Sequence, residues 1–225
     1  IEVIGIDNIN DYYDVKLKLK RQKILQKNSN FICYNRDIED DIFLSEIFKN
    51  HSPEIVIHLA AQAGVRYSIE NPKSYINTNL YGAFNLLELL KDYPLKHLLF
   101  ASSSSVYGGN SKLPFDEKQK CEHPLSLYAA TKKANETMCH SYSYNFSIPT
   151  TMLRFFTVYG PWGRPDMALF KFTNSIINRK QIDLYNFGKM ERDFTYIDDV
   201  VKSIYLLLDK IPEKPNIRKN KLKND

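Results

Sequence analysis

A tyrosine and a lysine stand four residues apart in a predicted helix, residues 127–145. At that spacing Tyr128 and Lys132 lie on one face of the helix, so the ammonium group is next to the phenol. A neighbouring positive charge stabilises a phenolate and moves a tyrosine pKa down from its ordinary value of about 10, toward that of a usable general base. This pair suits the interconversion of an alcohol and a ketone, a reaction that needs a hydride acceptor.

A cluster of serines precedes this helix. The apolar run 97–102 predicts a buried strand, and it leads into Ser103, Ser104 and Ser105. One of these hydroxyls could hold a substrate alcohol against the phenolate. A Tyr-x-x-x-Lys pair alone occurs by chance in many helices. Strand, serine cluster, loop and helix in this order make the indication of a catalytic site much stronger.

The elements that must position these residues alternate along the chain. Strands are predicted at 2–6, 31–35, 55–59, 97–102 and 150–154, and helices at 14–27, 42–50, 72–92, 127–145 and 198–209.

With these elements the chain resembles the extended short-chain dehydrogenase/reductase superfamily and, within it, the NAD-dependent nucleotide-sugar 4-epimerases. The resemblance runs from residue 1 to about residue 209. One similarity is specific to a subgroup of the family: the segment Ile9-Asn-Asp-Tyr-Tyr-Asp14 is similar to that of bacterial UDP-glucuronate 4-epimerases. The family resemblance implies an α/β fold. It consists of a Rossmann-like doubly wound parallel sheet, here with its first strand missing, and part of a small substrate-binding domain.

The family begins one strand earlier, with a glycine-rich turn that holds the cofactor pyrophosphate at a helix N-terminus. The eight glycines of this chain do not form that pattern. We therefore expect that about 30 residues, one βα unit, are missing before Ile1, and that the family continues past residue 209. The expected domains are a truncated NAD-binding Rossmann domain at 1–155, a partial substrate-binding region at 156–209 and a basic, disordered tail at 210–225.

The resemblance also implies an NAD site. Asp7 ends the first predicted strand, where the family's acidic residue accepts hydrogen bonds from the adenosine ribose, and a carboxylate there favours NAD over NADP. Asp7 could instead be a turn or cap residue, Asp37 could cap the helix at 42–50, and His58 is expected to be a core histidine. The cofactor residues that the resemblance implies are Asp7, Asn8, Asp37, Ile38, Leu59, Ala60, Ala61, Asn79, Tyr128, Lys132 and Phe156.

A second set of residues falls where the family meets its substrate. The resemblance places Arg192 on the nucleotide diphosphate, for which the planar guanidinium is suited, and Thr157 and Arg164 at a clamp for a sugar carboxylate. A structural pair of Arg192 with Asp193 or Asp198 is the alternative. The substrate residues implied are Arg66, Ser68, Ser103, Thr157, Arg164 and Arg192.

The serine cluster separates the reactions known in the family. Ser103 falls at the family's catalytic position; the sugar 4,6-dehydratases carry Asp-Glu at the next two positions, and the UDP-glucuronate decarboxylases an acidic residue in place of Ser105. Ser104 and Ser105 therefore favour 4-epimerisation, of UDP-glucuronate to UDP-galacturonate through a 4-keto intermediate. The alternatives are a UDP-N-acetylglucosamine or UDP-glucose 4-epimerase, then a UDP-glucuronate decarboxylase, and an inactive NAD-binding fragment.

Composition limits the partners. The net charge of the 225 residues is +5, and six basic and two acidic side chains in 210–225 account for most of it, so no nucleic-acid partner is expected. No apolar run of about 18 residues and no signal peptide is found, and three widely spaced cysteines indicate free thiols in a cytoplasmic protein without a metal site. By analogy with the family we expect a homodimer formed through the helices at 72–92 and 127.

Overall fold

The computed structural model describes residues 1–110, 112–189 and 191–213. The chain divides into two compact units. One unit consists of Ile1–Asp40 and Phe155–Tyr205, and the other of Asp41–Arg154 and the residues from Leu206 on. The domain boundaries predicted from the sequence stay a prediction, and residues 214–225 of the predicted tail lie outside the described residues.

The strands are β1 (Val3–Ile6), β2 (Phe31–Tyr34), β3 (Ile55–His58), β4 (His97–Ser103), β5 (Thr150–Phe155), β6 (Thr157–Tyr159) and β7 (Phe194–Tyr196). The α-helices are α1 (Val15–Leu25), α2 (Asp41–His51), α3 (Tyr67–Glu70), α4 (Pro72–Ser74), α5 (Ala83–Leu89), α6 (Leu127–Phe146), α7 (Ala168–Ile177) and α8 (Ile197–Leu207). A π-helix spans Tyr75–Gly82, and 3₁₀ turns span Ser104–Tyr107 and Tyr185–Gly188.

The described strands form three sheets, with strand orders β1–β2, β3–β4–β5 and β6–β7. The pairs β1–β2, β3–β4 and β6–β7 are parallel. In the first sheet Val3 lies opposite Phe31 and Ile6 opposite Tyr34, so both strands end at the same edge. Parallel strands with helices between them confirm the predicted α/β fold.

The core of the second unit surrounds β4, whose residues are all buried. Leu98 and Phe100 pack with Phe48 of α2, Leu87 of α5 and Cys139 of α6. A continuous apolar run is what a parallel strand covered on both faces requires, which explains why this strand is evident in the sequence. The core thereby fixes α6 against the end of β4.

The predicted helix at 72–92 is not continuous. The structure has the short α4, then the π-helix, then α5 ending at Leu89. The short strands β6 and β7 and the helix α7 were not predicted. Among the described residues no helix is long and apolar enough to cross a membrane.

Candidate active site

The serine cluster lies at the carboxyl end of β4, as predicted. Ser103 is the last residue of the strand, and its Oγ accepts a hydrogen bond from the Ser105 amide at 3.2 Å. The same hydroxyl donates to Ser105 Oγ at 3.2 Å. This side-chain cap starts the 3₁₀ turn, so the turn geometry is set by the serine that was predicted to be catalytic.

Helix α6 brings Tyr128 and Lys132 to the same end of the unit. Ser126 caps the helix, its side chain accepting from the Ala129 amide at 3.1 Å, and this fixes the first turn, which contains Tyr128. The Tyr128 ring is half-buried and packs edge-on against the Tyr75 ring, with centroids 6.2 Å apart. The phenol is thus held on a rigid helix end.

Lys132 is buried, with 3% of its surface exposed. Its Nζ donates to the carbonyl oxygen of Ala101 at 2.8 Å, which ties α6 to β4. Burial lowers the Lys132 pKa to about 8. A lysine ammonium has three donors, and the described residues supply an acceptor for one of them, so two remain to bind a ligand hydroxyl.

His58 is the last residue of β3, the strand next to β4. The imidazole is buried and packs on Phe100 with ring centroids 4.4 Å apart. Burial and, second, the charge of Lys132 lower the His58 pKa to about 3. His58 is therefore neutral at physiological pH, as a core histidine should be.

Asn79 holds the loop that follows β3. Its Oδ1 accepts from the Gln62 amide at 2.7 Å, and its Nδ2 donates to the Gln62 carbonyl at 3.0 Å. Nδ2 also donates to Thr131 Oγ1 at 3.1 Å, next to Lys132 on α6. A direct contact of Asn79 with the cofactor stays a prediction; in the structure the amide links the loop to α6. Of the other predicted cofactor residues here, Leu59 is exposed and Ala60 and Ala61 are half-buried.

The predicted adenosine site lies in the other unit, where β1 and β2 end together. Asn8 Nδ2 donates to Asp37 Oδ2 at 3.0 Å, which joins the two strand ends. Asp7 Oδ1 accepts from the Ile9 amide at 2.7 Å and Asp37 Oδ1 from the Glu39 amide at 3.1 Å. Both carboxylates therefore stabilise turns, the alternative considered for Asp7, and Asp37 is not the cap of α2, which begins four residues later.

Arg164, the predicted carboxylate clamp, is paired with a carboxylate of its own loop. Its Nε donates to Asp166 Oδ1 at 3.0 Å and its Nη2 to Asp166 Oδ2 at 2.5 Å. The Tyr12 hydroxyl also donates to Asp166 Oδ2, at 3.1 Å, and its ring lies 5.7 Å from the guanidinium. Burial alone would raise the Asp166 pKa, but hydrogen bonds from Arg164 and Tyr12 outweigh it and leave that pKa below its usual range. Tyr12 was missed because its partner lies in a loop 154 residues further along the chain. The pairing of Asp166 with Arg164 had a local signal, since the two opposite charges are only two residues apart.

The remaining predicted substrate residues differ in their surroundings. Ser68 is buried and its Oγ donates to the Val65 carbonyl at 2.6 Å, whereas Arg66 is exposed at the start of α3. Arg192 is exposed and donates to the Glu191 carbonyl at 2.7 Å. Thr157 begins β6 and, like Phe156 before it, is half-buried.

Arg192 forms no ion pair with Asp193 or Asp198 in the part of the chain that the structure describes. The structural pair considered as its alternative role is therefore not seen. In all, one unit contains the predicted site residues Leu59, Ala60, Ala61, Arg66, Ser68, Asn79, Ser103, Tyr128 and Lys132, and the other contains Asp7, Asn8, Asp37, Ile38, Phe156, Thr157, Arg164 and Arg192.

Comparison with known proteins decides the family. The model of the NAD dependent epimerase/dehydratase family matches residues 1–218. The chain belongs to this family. The resemblance inferred from the serine cluster and the Tyr128–Lys132 pair is thereby confirmed.

Relatives within the family are close. Protein CapI of Staphylococcus aureus is 56% identical over 214 residues, which cover 95% of this chain and 64% of that protein. A probable UDP-glucuronate 4-epimerase of Rhizobium meliloti is 53% identical over 214 residues, covering 95% of this chain and 63% of that protein. The chain thus spans less than two thirds of the length of these relatives.

Solved structures show the same family fold. The UDP-glucuronic acid 4-epimerase from Bacillus cereus, in complex with UDP-glucuronic acid and NAD, superposes with a TM-score of 0.87 at 36% sequence identity. The match covers 96% of this chain and 67% of that one. A UDP-glucose 4-epimerase from Thermotoga maritima, with UDP-glucose, gives a TM-score of 0.81 at 31% identity and covers 92% of this chain and 65% of that one.

Proposed function

We propose that the protein catalyses the NAD-dependent 4-epimerisation of UDP-glucuronate to UDP-galacturonate through a 4-keto intermediate. One observation carries the proposal: Ser103 at the end of β4 and Tyr128 and Lys132 on α6 lie in one compact unit, with Lys132 bonded directly to β4. The names of the relatives from Rhizobium meliloti and Bacillus cereus support this choice of sugar.

The residues present fit NAD. Lys132 is a buried ammonium with donors left for a ribose diol, and the half-buried Ala60 and Ala61 leave space for the approach of a diphosphate to the backbone. Asp7 uses one carboxylate oxygen in its turn, which leaves the other to accept from a ribose hydroxyl. When bound, NAD takes up the hydride from C4 of the sugar and gives it back.

The side chains of the site move the proton. In the proposed mechanism the Tyr128 phenolate removes the proton of the C4 hydroxyl, and the Ser103 hydroxyl bridges the two oxygens. Lys132 holds the phenolate in its ionised form through its charge. The 4-keto sugar then turns its other face to the site, and Tyr128 returns the proton to O4. Tyr128 is thereby a phenolate again, and the sugar is again an alcohol at C4.

Ser104 and Ser105 support epimerisation over dehydration or decarboxylation. Both follow Ser103 in the 3₁₀ turn, and the Ser105 hydroxyl accepts from Ser103. A hydroxyl is neither a carboxylic acid that can protonate a leaving hydroxide nor a base for C5 at neutral pH. The turn therefore lacks the acid–base pair that elimination of water needs.

Arg164 supports a uronic acid as the sugar. A 4-keto glucuronate is a β-keto acid, which loses CO₂ unless its carboxylate is held out of line with the carbonyl. We infer that Arg164 and Thr157 hold this carboxylate, with Asp166 and Tyr12 fixing the guanidinium in place. Arg192 is assigned to the diphosphate, and Arg66 and Ser68 to the nucleotide sugar.

We also infer a homodimer in the cytoplasm. The predicted dimer helices expose several large apolar side chains, and such a surface is typical of an interface. They are Ile76, Tyr81, Phe84, Tyr144 and Phe146. The three cysteines are free thiols, which fits a reducing compartment.

The proposal is tested by incubating the full-length protein with UDP-glucuronate without added NAD and following the sugar nucleotides by NMR. UDP-galacturonate at equilibrium, with no pentose, is the expected product. A UDP-pentose would show decarboxylation and refute the argument from Ser105. Conversion of UDP-N-acetylglucosamine or UDP-glucose alone would assign Arg164 to the stability of its loop.

A further inference from the structure

Glu136 is a buried carboxylate that the proposed mechanism does not use. It lies on α6, one turn after Lys132, and 9% of its surface is exposed. Its Oε1 accepts from Ser102 Oγ at 2.7 Å and from Arg154 Nε at 2.7 Å, and its Oε2 accepts from Arg154 Nη2 at 2.9 Å. Three short hydrogen bonds to one buried carboxylate make a rigid junction.

The junction is an ion pair at neutral pH. Burial alone would raise the Glu136 pKa, but the hydrogen bonds from Arg154 and Ser102 and the charge of Arg154 outweigh it and leave that pKa below its ordinary value. The hydrogen bond to Glu136 in turn raises the pKa of Arg154. Lys133 Nζ adds a contact to Oε2 at 3.5 Å.

The junction attaches the strand that carries the catalytic serine. Ala101 accepts from Lys132, and the next residue, Ser102, donates to Glu136. Two consecutive strand residues are thus bonded to side chains one helical turn apart. Two such bonds restrict both sliding and rotation of the strand end against α6, and the residue that follows them is Ser103.

Arg154 connects the junction to the far end of the 3₁₀ turn Ser104–Tyr107, which we call the serine turn. It lies at the end of β5, its guanidinium stands 4.9 Å from the centre of the Tyr107 ring, and its Nη1 donates to the Glu117 carbonyl at 3.3 Å. Tyr107 ends the 3₁₀ turn and stacks on Phe115 with ring centroids 4.6 Å apart. The turn is therefore held at both ends.

We propose that Ser102, Glu136 and Arg154 are positioning residues that set the Ser103 hydroxyl relative to the Tyr128 phenol. The proposal rests on the proposed function to the extent that Ser103 and Tyr128 carry the proton transfer. Loss of the Ser102 hydroxyl loosens the strand end without removing a charge, whereas Glu136→Gln also leaves Arg154 without its counter-ion.

The test compares kcat and KM of the full-length protein and its variants with UDP-glucuronate. Ser102→Ala is expected to lower kcat about tenfold and to change KM less than about twofold, because misplacement of a catalytic group affects the chemical step. Glu136→Gln is expected to lower kcat further. The matched control is Thr151→Val, which removes the 2.8 Å bond to His97 from the neighbouring strand and should leave kcat unchanged.

A double-mutant cycle separates positioning from general destabilisation. In a Ser103→Ala background, Ser102→Ala should have no further effect on kcat, because the group that it positions is gone. The same tenfold loss in both backgrounds would mean that the junction is merely structural and would overturn the proposal, as would an unchanged kcat in Ser102→Ala.

The positioning role can also be tested without substrate, by hydrogen exchange, in case the protein turns over no UDP-sugar. The Ser105 amide donates to Ser103 Oγ, so its hydrogen exchange reports where Ser103 lies. Exchange of this amide should be about tenfold faster in Ser102→Ala and unchanged in Thr151→Val. Equal exchange in wild type and Ser102→Ala refutes the junction, whereas absence of turnover with faster exchange refutes only the proposed reaction.

Discussion

Lys132 combines a positive charge with almost complete burial, and the two have opposite consequences. Burial disfavours the ammonium and lowers the Lys132 pKa to about 8, while the proposed mechanism uses that charge to stabilise the Tyr128 phenolate. Buried charges of this kind are found at functional sites, where they lower the stability of the folded protein but are needed for the reaction. The ammonium is therefore expected to destabilise the folded protein at neutral pH.

The pH dependence of folding tests this expectation on the cofactor-free protein. Between about pH 8 and 10.5 the unfolded chain keeps the Lys132 proton that the folded protein has lost, so the free energy of unfolding rises with pH. Over that range the wild type should gain up to about 3 kcal/mol relative to Lys132→Met, measured by chemical denaturation. The exposed lysine variant Lys49→Met should follow the wild type. Parallel curves for wild type and Lys132→Met would contradict the prediction.

At the scale of single residues, the sequence predicts those contacts whose partners are close together along the chain. Tyr128 and Lys132 are four residues apart on one helix, and Ser103 ends a strand that its apolar run makes evident, so the places of all three in the fold could be predicted. The bond of Tyr12 to Asp166 and the bonds of Glu136 to Ser102 and Arg154 join distant parts of the chain. Arg164 and Asp166, in contrast, are only two residues apart. For Glu136 the available signal was its position, four residues after Lys132 on the same helix face.

At the scale of the elements, the segment between β3 and α6 departs from the sequence pattern. A continuous helix was predicted at 72–92, and the structure widens it into a π-helix at Tyr75–Gly82. The Tyr75 hydroxyl lies 2.8 Å from the Ala63 carbonyl oxygen, and Asn79 bonds to Gln62. These contacts tie the helix to the loop after β3. They could not be predicted from the sequence, because the periodicity of apolar residues gives no information on polar contacts. Widened turns of this kind are often found at functional sites.

Gly108 provides a test of the serine turn. It follows the 3₁₀ turn with a φ of +55°, and an added Cβ would overlap the His123 carbonyl oxygen. Gly108→Ala should therefore lower the free energy of unfolding by at least about 2 kcal/mol, since strain and overlap add. Denaturant unfolding measures this change.

The neighbouring Gly109 is the matched control. A Cβ there would meet only Leu125 Cδ2 at 3.8 Å, an ordinary contact. Gly109→Ala should stay within about 0.5 kcal/mol of the wild type. Equal losses in the two variants would show that the turn does not depend on the backbone conformation of Gly108.

At the scale of the whole molecule, the family and the fold class could be predicted because several separate motifs occur in the right order. The grouping of Ile1–Asp40 with Phe155–Tyr205 could not, because it depends on contacts between segments more than a hundred residues apart. One such contact is Arg21 Nη2 to the Gly163 carbonyl at 3.0 Å. The side chains involved give no periodic signal.

The proposed homodimer is a prediction at this scale. Sedimentation velocity of the full-length protein should give the mass of a dimer, and Phe84→Glu on α5 should shift it to monomer by placing a charge on the apolar face. Ile177→Glu, on the exposed face of α7, is the control and should stay dimeric. A dimer that survives Phe84→Glu would place the interface elsewhere.

The proposed 4-epimerisation is tested most directly by following the hydrogen at C4. The full-length protein is given UDP-glucuronate deuterated at C4 in ordinary water, and the product is analysed by NMR. We expect UDP-galacturonate with deuterium retained at C4, because in the proposed mechanism the hydride leaves C4 and returns to it while Tyr128 moves only the hydroxyl proton. Product with hydrogen from water at C4 would contradict this mechanism, since the inversion would then proceed by proton exchange at carbon.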